Sequence, residues 1–164
     1  MAVRTDAAVP IQAIVGIKPS PHNPSSMRPH QRPPTLGIVA AVAYVIAAFV
    51  PYFVLEAPAG VLEFYYAAGL AGPQVLSLFA FVAIVLFAAG RQQRTEPELV
   101  AGLTLILGLV LTVVTLHWAV SVPSNVILEA GDVAWFEHHR WVTLLVSAVI
   151  PVASLWYARE LDVL

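Results

Sequence analysis

The 164-residue chain has no cysteine, only one lysine and few charged residues of any kind. Without cysteine it has no disulfides, thiolate metal sites, iron–sulfur clusters or cysteine nucleophiles. Charged residues make up 11% and hydrophobic residues 59% of the chain, whereas a soluble domain has about 25% charged residues. This balance excludes an ordinary soluble domain and a disordered chain, and it predicts a membrane protein. The net charge of −2 gives no reason to expect a nucleic-acid partner.

Residues 1–34 differ from the rest because they hold seven of the thirteen prolines. Proline removes amide donors and disfavours helix in the residue before it. We therefore expect a disordered, proline-rich cytoplasmic tail over 1–34. A secretory signal is the alternative, but the apolar patch at 7–17 is short and contains Pro10. Met27 is an alternative start, since the ordered part of the chain begins just after it.

Four long apolar segments follow, and each approaches or exceeds the ~20 residues that cross a bilayer as a helix. Backbone groups in hydrocarbon must be bonded within the segment, which favours helix. Between the second and third segments, Thr95 and Glu98 have the spacing of a capping box, with Pro97 in the first turn. The sequence therefore predicts an all-α, four-helix transmembrane bundle over 35–164, with spans at about 35–55, 70–89, 98–120 and 141–158.

The cations predict the orientation of these spans. Arginines lie before the first span, between the second and third, and after the fourth, whereas the other two connections are acidic. The positive-inside rule therefore predicts a multi-pass protein of the plasma membrane with both termini cytoplasmic. The cations on the inner side are Arg28, Arg32, Arg91, Arg94 and Arg159, and the outer connections contain Arg140 with Glu56, Glu63, Glu129, Asp132 and Glu137.

Small and hydroxylated residues recur every three or four positions along the third and fourth segments, so in each segment they share one helical face. Lipid is as apolar as leucine, and close packing of small side chains is what brings membrane helices together. We expect the third and fourth spans to pack along these faces. The predicted packing residues are Ala101, Thr104, Gly108, Thr112, Thr115 and Ala119 on the third span, and Thr143, Ser147 and Ser154 on the fourth.

Catalytic and transport chemistry has few candidates within the spans. No Asp, Glu, Lys or Arg lies inside the predicted hydrocarbon region, where ion and proton carriers usually place such residues. No phosphate-binding loop or hydrolase motif is present, and no cofactor is predicted. Apart from Glu98 at the very start of the third span, His117 is the one ionisable residue inside a span. Its position, roughly 160° from the small-residue face, favours an interfacial histidine over a haem or metal ligand.

The connection before the fourth span contains the remaining candidates for specific chemistry. Carboxylates and imidazoles bind divalent cations and also serve as acids and bases. Asp132 and His139 are seven residues apart and would share a helical face, whereas Glu137 and His138 would point elsewhere. A hydrated lead-in to the span is the simpler interpretation. The candidate metal ligands are Glu129, Asp132, Glu137, His138 and His139.

Over residues 27–164 the chain resembles the small, uncharacterised four-span membrane proteins of halophilic archaea. The likeness rests on Pro34-Thr35-Leu36-Gly37, the run Ala88-Ala89-Gly90-Arg91-Gln92-Gln93-Arg94-Thr95, His139-Arg140-Trp141 and Trp156-Tyr157-Ala158-Arg159. The resemblance implies an archaeal membrane location and this architecture, and it transfers no activity or site.

The sequence favours a non-catalytic helix-packing or interaction module, or a subunit of a membrane complex. Its expected partners are the lipid bilayer and a second copy of itself or another membrane protein. An outward-facing ligand or metal site before the fourth span, with or without catalysis, is the alternative. An oligomeric channel or a transporter subunit is the weaker one.

Overall fold

The computed structural model describes residues 31–163 except 57, 59 and 130–133. The described part is mostly helical and contains no strand. Four helices are long and apolar enough to cross a membrane, which confirms the predicted all-helical membrane architecture. The predicted disorder of 1–34 falls almost wholly outside the described residues. In chain order the helices are α1 (Arg32–Val54), α2 (Val61–Ala67), α3 (Pro73–Arg91), α4 (Pro97–Ser121), α5 (Ser124–Glu129) and α6 (Ala134–Glu160).

The long helices α1, α3, α4 and α6 form a four-helix core in which each packs against two of the others. The room for a side chain at Gly37, early in α1, is occupied by the ring of Phe87, late in α3. Gly90, at the end of α3, lies against Val100 of α4 and Tyr157 of α6. Neighbouring helices therefore run in opposite directions. We call the end that contains these contacts the Arg91 end, and the opposite end the His139 end.

The interior of the core is filled by alanine together with a few large side chains. The fully buried large residues of its central cluster come from all four helices. Large aliphatic side chains point outward from each helix instead, as expected for surfaces in contact with lipid acyl chains. The outward set includes Val39, Ile46, Leu78, Val85, Ile106, Val113, Leu145 and Val152, and the inward set includes Tyr44, Leu76, Phe87, Leu111 and Ile150.

Three local features differ from the sequence-based expectations. Helix α6 begins at Ala134 rather than Trp141, so Glu137, His138, His139 and Arg140 lie on a helix. Two short helices, α2 and α5, occupy the connections at the His139 end, where no helix was predicted. The capping box was wrong: Glu96 is the N-cap of α4, Pro97 is the first helical residue, and no side chain bonds the cap. A proline there has no amide to be capped, which removes part of the need for one.

Candidate functional site

The candidate metal ligands do not gather in one place within the described part of the chain. Glu137 and His138 are exposed on the first turn of α6, whereas His139 is buried, with only 5% of its surface exposed. Glu129 is the last residue of α5, and Asp132 lies outside the described residues. Among the residues that the structure describes, no three His, Asp or Glu side chains are close enough to hold a metal ion. Metal binding by the full set therefore stays a prediction.

His139 has both ring nitrogens in hydrogen bonds to other helices. Its Nδ1 lies 2.9 Å from the hydroxyl of Tyr65 on α2, and its Nε2 lies 2.8 Å from the carbonyl oxygen of Ala47 on α1. A carbonyl only accepts, so Nε2 is the nitrogen that carries the proton and donates. In the neutral ring Nδ1 then accepts from the Tyr65 hydroxyl. His139 thus links three helices at their common end.

The carbonyl of Ala47 is available to His139 because of Pro51. In an α-helix the carbonyl of residue 47 accepts from the amide of residue 51, and proline has no amide hydrogen. Pro51 lies inside α1 and is buried, so the helix leaves this carbonyl unpaired in an apolar interior. An unpaired buried carbonyl costs about 1–3 kcal/mol. The imidazole of His139 supplies the missing donor.

An aromatic cluster surrounds the His139–Tyr65 pair and holds both rings in place. Phe136 stacks on His139 with ring centroids 6.2 Å apart and planes 17° apart. Trp118 of α4 meets the ring of Tyr65 edge to face at 5.1 Å, and its Nε1 donates to the carbonyl of Tyr65 at 3.0 Å. Edge-to-face pairs and satisfied indole donors favour one fixed arrangement. Helix α2 is therefore fastened to α1, α4 and α6 together.

Tyr66 connects α2 to α1 by a second set of contacts. Its hydroxyl donates to the carbonyl of Ala48 on α1 at 2.7 Å, and its ring stacks on Tyr52 at 4.9 Å. Burial raises the pKa of both Tyr65 and Tyr66 above the ordinary value. Both hydroxyls therefore stay protonated and able to donate throughout the neutral range.

Glycines at its two flanks let α2 fold over the His139 end. Gly60, the N-cap of α2, has φ +91°, and Gly69, after its last turn, has φ +72°. Other residues rarely adopt this left-handed conformation. A Cβ on Gly69 would also lie 2.9 Å from Nδ1 of His117. The exposed His117 is thus a neighbour of the α2–α3 connection.

Arg140 directly follows His139 on α6. Its guanidinium donates through NH1 to the carbonyl of Val122 at 3.3 Å and lies 5.3 Å from the ring centroid of Trp141. Its buried Nε has no hydrogen-bond partner among the described residues. The charge also opposes the effect of burial on the Tyr65 hydroxyl by lowering the pKa of that group.

This arrangement is a buried clamp rather than an open reaction centre. Tyr65 is fully buried, and both nitrogens of His139 are engaged. A general acid or base must reach a reacting group at hydrogen-bond distance, and neither ring offers a free position to a substrate. What the network does chemically is satisfy buried polar groups while joining α1, α2, α4 and α6.

Of the predicted packing residues, Gly108 of α4 lies directly against α6, whereas Thr115 bonds Tyr44 of α1. A Cβ on Gly108 would be 2.9 Å from the backbone nitrogen of Pro151 and 3.0 Å from Cγ2 of Ile150. The hydroxyl of the buried Thr104 donates to the carbonyl of Val100 at 2.7 Å, so this hydroxyl is hydrogen-bonded within α4. Thr112 is half-buried and bonds the carbonyl of Gly108. All the other predicted packing residues are buried, namely Ala101, Thr104, Gly108, Thr115, Ala119, Thr143, Ser147 and Ser154.

Fold and site together define a helical protein with four helices long and apolar enough to cross a membrane and a buried aromatic–histidine clamp at one end of them. The chain belongs to the Family of unknown function (DUF7548), whose model matches residues 27–162. This confirms the prediction of an uncharacterised domain family. No curated protein and no solved structure matches the chain.

Sequence reasoning missed the partners of His139. From the sequence, neither Tyr65 nor Pro51 was assigned a role beside His139. A signal was nevertheless present: a proline inside an apolar helix frees the carbonyl four residues earlier, so a buried donor near Ala47 was required. Which donor supplies it depends on packing between residues 92 positions apart.

Proposed function

We propose that this protein is a non-catalytic membrane module that acts as a subunit or interaction partner in a membrane-protein complex. The observation that carries the proposal is the closed, internally bonded core. The hydroxyls of Ser77 and Ser154 bond carbonyls of their own helices, and Tyr44 bonds Thr115 across the core at 3.0 Å. Groups engaged in this way offer neither a hydrated path nor an acid–base pair to a substrate.

The small-residue contact between α4 and α6 lies inside one chain, so a partner would meet other faces. We place this contact on the outward aliphatic surface, for example around Val85 of α3 or Ile106 of α4, both exposed. A photo-crosslinking side chain at Val85 or Ile106 tests this in native membranes, with the buried Ala83 as the matched position. The expected result is one adduct of defined mass from one face. Adducts with lipid alone at every exposed position, from a monomer, would refute the proposal.

We further propose that both termini face the cytoplasm and that the membrane is the plasma membrane, in a halophilic archaeon. The distribution of arginine and carboxylate residues supports the orientation, and the sequence resemblance supports the source. The chain has no cysteine, so a thiol reagent labels only a cysteine that is introduced by substitution. With Glu63→Cys and Gln92→Cys, both at exposed positions, a membrane-impermeant maleimide should label only the first in intact cells. Labelling of Gln92→Cys alone would reverse the orientation.

The alternative, a metal or ligand site before the fourth span, is motivated by the sequence, in which Glu137, His138 and His139 are consecutive, although on α6 they point to different sides. It requires His139 to give up its bonds to Tyr65 and Ala47, or to leave the ligand set. Elemental analysis of purified protein separates the two functions. A stoichiometric metal that is lost in His138→Ala would support the site over the module.

The channel or transporter alternative is tested by ion flux in proteoliposomes. We expect no flux above that of empty vesicles, because the described core contains no hydrated row of polar groups. A flux that Gly108→Leu abolishes would replace the module proposal with a transport function.

A further inference from the structure

A cavity of about 800 Å³ opens at the Arg91 end, between the start of α1, the end of α3, the start of α4 and the end of α6. Its volume is within the range of about 300–1,000 Å³ that is typical of ligand pockets. One side is polar, formed by Arg91, Gln92 and Gln93, and the other is apolar, formed by Ile38, Ala88 and Leu161. The cavity is remote from the His139 clamp and plays no part in it.

Tyr157 is the most informative residue in this cavity. It is 2% exposed and lines the cavity wall. A Cβ on Gly90 would lie 3.2 Å from its hydroxyl, which places that hydroxyl beside the glycine that also lines the cavity. The hydroxyl has no hydrogen-bond partner among residues 31–163 as far as the structure describes them. The ring is buried but the hydroxyl opens to the cavity, so it can donate to a group that enters there.

The charge around the cavity selects an anion. Among the described residues that line the cavity, Arg91 is the only charged one, and it forms no ion pair with another described residue. Of the nearby carboxylates, Glu96, Glu98 and Asp162 are exposed and lie outside the lining, and Glu160 accepts from the indole of Trp156 at 3.1 Å. Pro97, the first residue of α4, also lines the cavity, so the positive end of that helix dipole lies at its rim.

We propose that this cavity binds a phosphate group, supplied by the headgroup of an anionic membrane lipid. The guanidinium of Arg91 matches phosphate oxygens in a bidentate way, and the Tyr157 hydroxyl donates a further bond. The apolar wall of Ile38 and Leu161 adjoins the span, where the glycerol and first methylenes of a lipid would lie. Free phosphate shares the polar chemistry and lacks the part that the apolar wall accommodates.

The experiment is native mass spectrometry of the full chain in mild detergent with phosphatidylglycerol or phosphatidylcholine added. Wild type should retain phosphatidylglycerol in preference to phosphatidylcholine. Arg91→Gln should lower this retention about tenfold, the scale of one lost charge-assisted hydrogen bond, and Tyr157→Phe should lower it severalfold. Arg94→Gln is the matched control, because it removes the same charge from an exposed residue of the same connection that does not line the cavity.

Inorganic phosphate distinguishes the two sources of the group. Displacement of bound lipid by phosphate, lost in Arg91→Gln, would support recognition of the phosphate itself. Lipid retention that phosphate leaves unchanged, but that Arg91→Gln and Tyr157→Phe reduce, would support a site that also needs the apolar part. Equal losses in Arg91→Gln and Arg94→Gln, or wild-type retention in Tyr157→Phe, would overturn the proposal. Tyr157→Phe removes an unpartnered hydroxyl, so an unchanged thermal midpoint verifies its fold.

Discussion

Gly108 and Gly102 lie on the same helix, α4, and allow a matched test of the packing against α6. A Cβ on Gly108 would be 2.9 Å from the backbone nitrogen of Pro151 and 3.0 Å from its Cδ, whereas a Cβ on Gly102 meets nothing within 4 Å. Carbon atoms pack best at about 3.5–4.0 Å. The atoms that Gly108 approaches are backbone and a rigid ring, so they cannot move aside without shifting the helix.

The expected free energies of unfolding follow from two terms. Replacing an interior helical glycine by alanine stabilises the helix by about 1 kcal/mol at either position. Overpacking at Gly108 costs about 1–3 kcal/mol. Gly102→Ala should therefore raise the free energy of unfolding, and Gly108→Ala should fall about 1–3 kcal/mol below it. Gly108→Leu should lower stability further, while Gly102→Leu should retain most of the gain of Gly102→Ala, because leucine is nearly as good a helix former and nothing lies within 4 Å of that position.

The assay is unfolding of each variant by titration with a denaturing detergent, followed by tryptophan fluorescence, from one mild detergent. Both alanine variants must first elute as wild type does on size-exclusion chromatography. If Gly108→Ala is as stable as Gly102→Ala, then α4 and α6 do not approach each other this closely, and the account of the α4–α6 contact fails.

Three further predictions concern the His139 end. His139→Leu should lower the free energy of unfolding by about 2–5 kcal/mol, because the Tyr65 hydroxyl and the Ala47 carbonyl each lose a partner. Glu137→Gln, at an exposed position, is the control. Equal unfolding midpoints for these two variants would contradict the clamp. Pro51→Ala restores an amide that bonds the Ala47 carbonyl, so in that background His139→Leu should lower the free energy of unfolding by less. A double-mutant cycle of unfolding measures this difference. Strict additivity of the two substitutions would show that the proline does not free this carbonyl. Burial holds the folded-state pKa of Tyr65 and Tyr66 above the unfolded value of 10.0. Their contribution to stability is therefore fully present below pH 10 and is lost as the pH rises above it. Tyrosinate absorbance and unfolding midpoints measured across that range check this, and a midpoint that rises with pH would refute it.

Much of the fold could be predicted because a bilayer constrains it strongly. An apolar run such as 98–120 has one way to bond its backbone in hydrocarbon, so its helix followed from the residues alone. The start of α6 was harder, because His138 and His139 are polar and resemble a loop in the sequence. His139 lies in the helix because partners on α1 and α2 satisfy its ring, and those partners come from distant parts of the chain.

The sequence by itself determined that the chain is helical and that four helices are long and apolar enough to cross a membrane, and it predicted which residues are available for close packing. It could do so because hydrophobicity, length and small-residue spacing are local properties. Only the tertiary structure decided that a proline in α1 creates the need for His139, and that Tyr157 and Arg91 share one cavity at the opposite end. Each of these sites joins groups far apart in sequence, and which of them meet depends on how the helices pack.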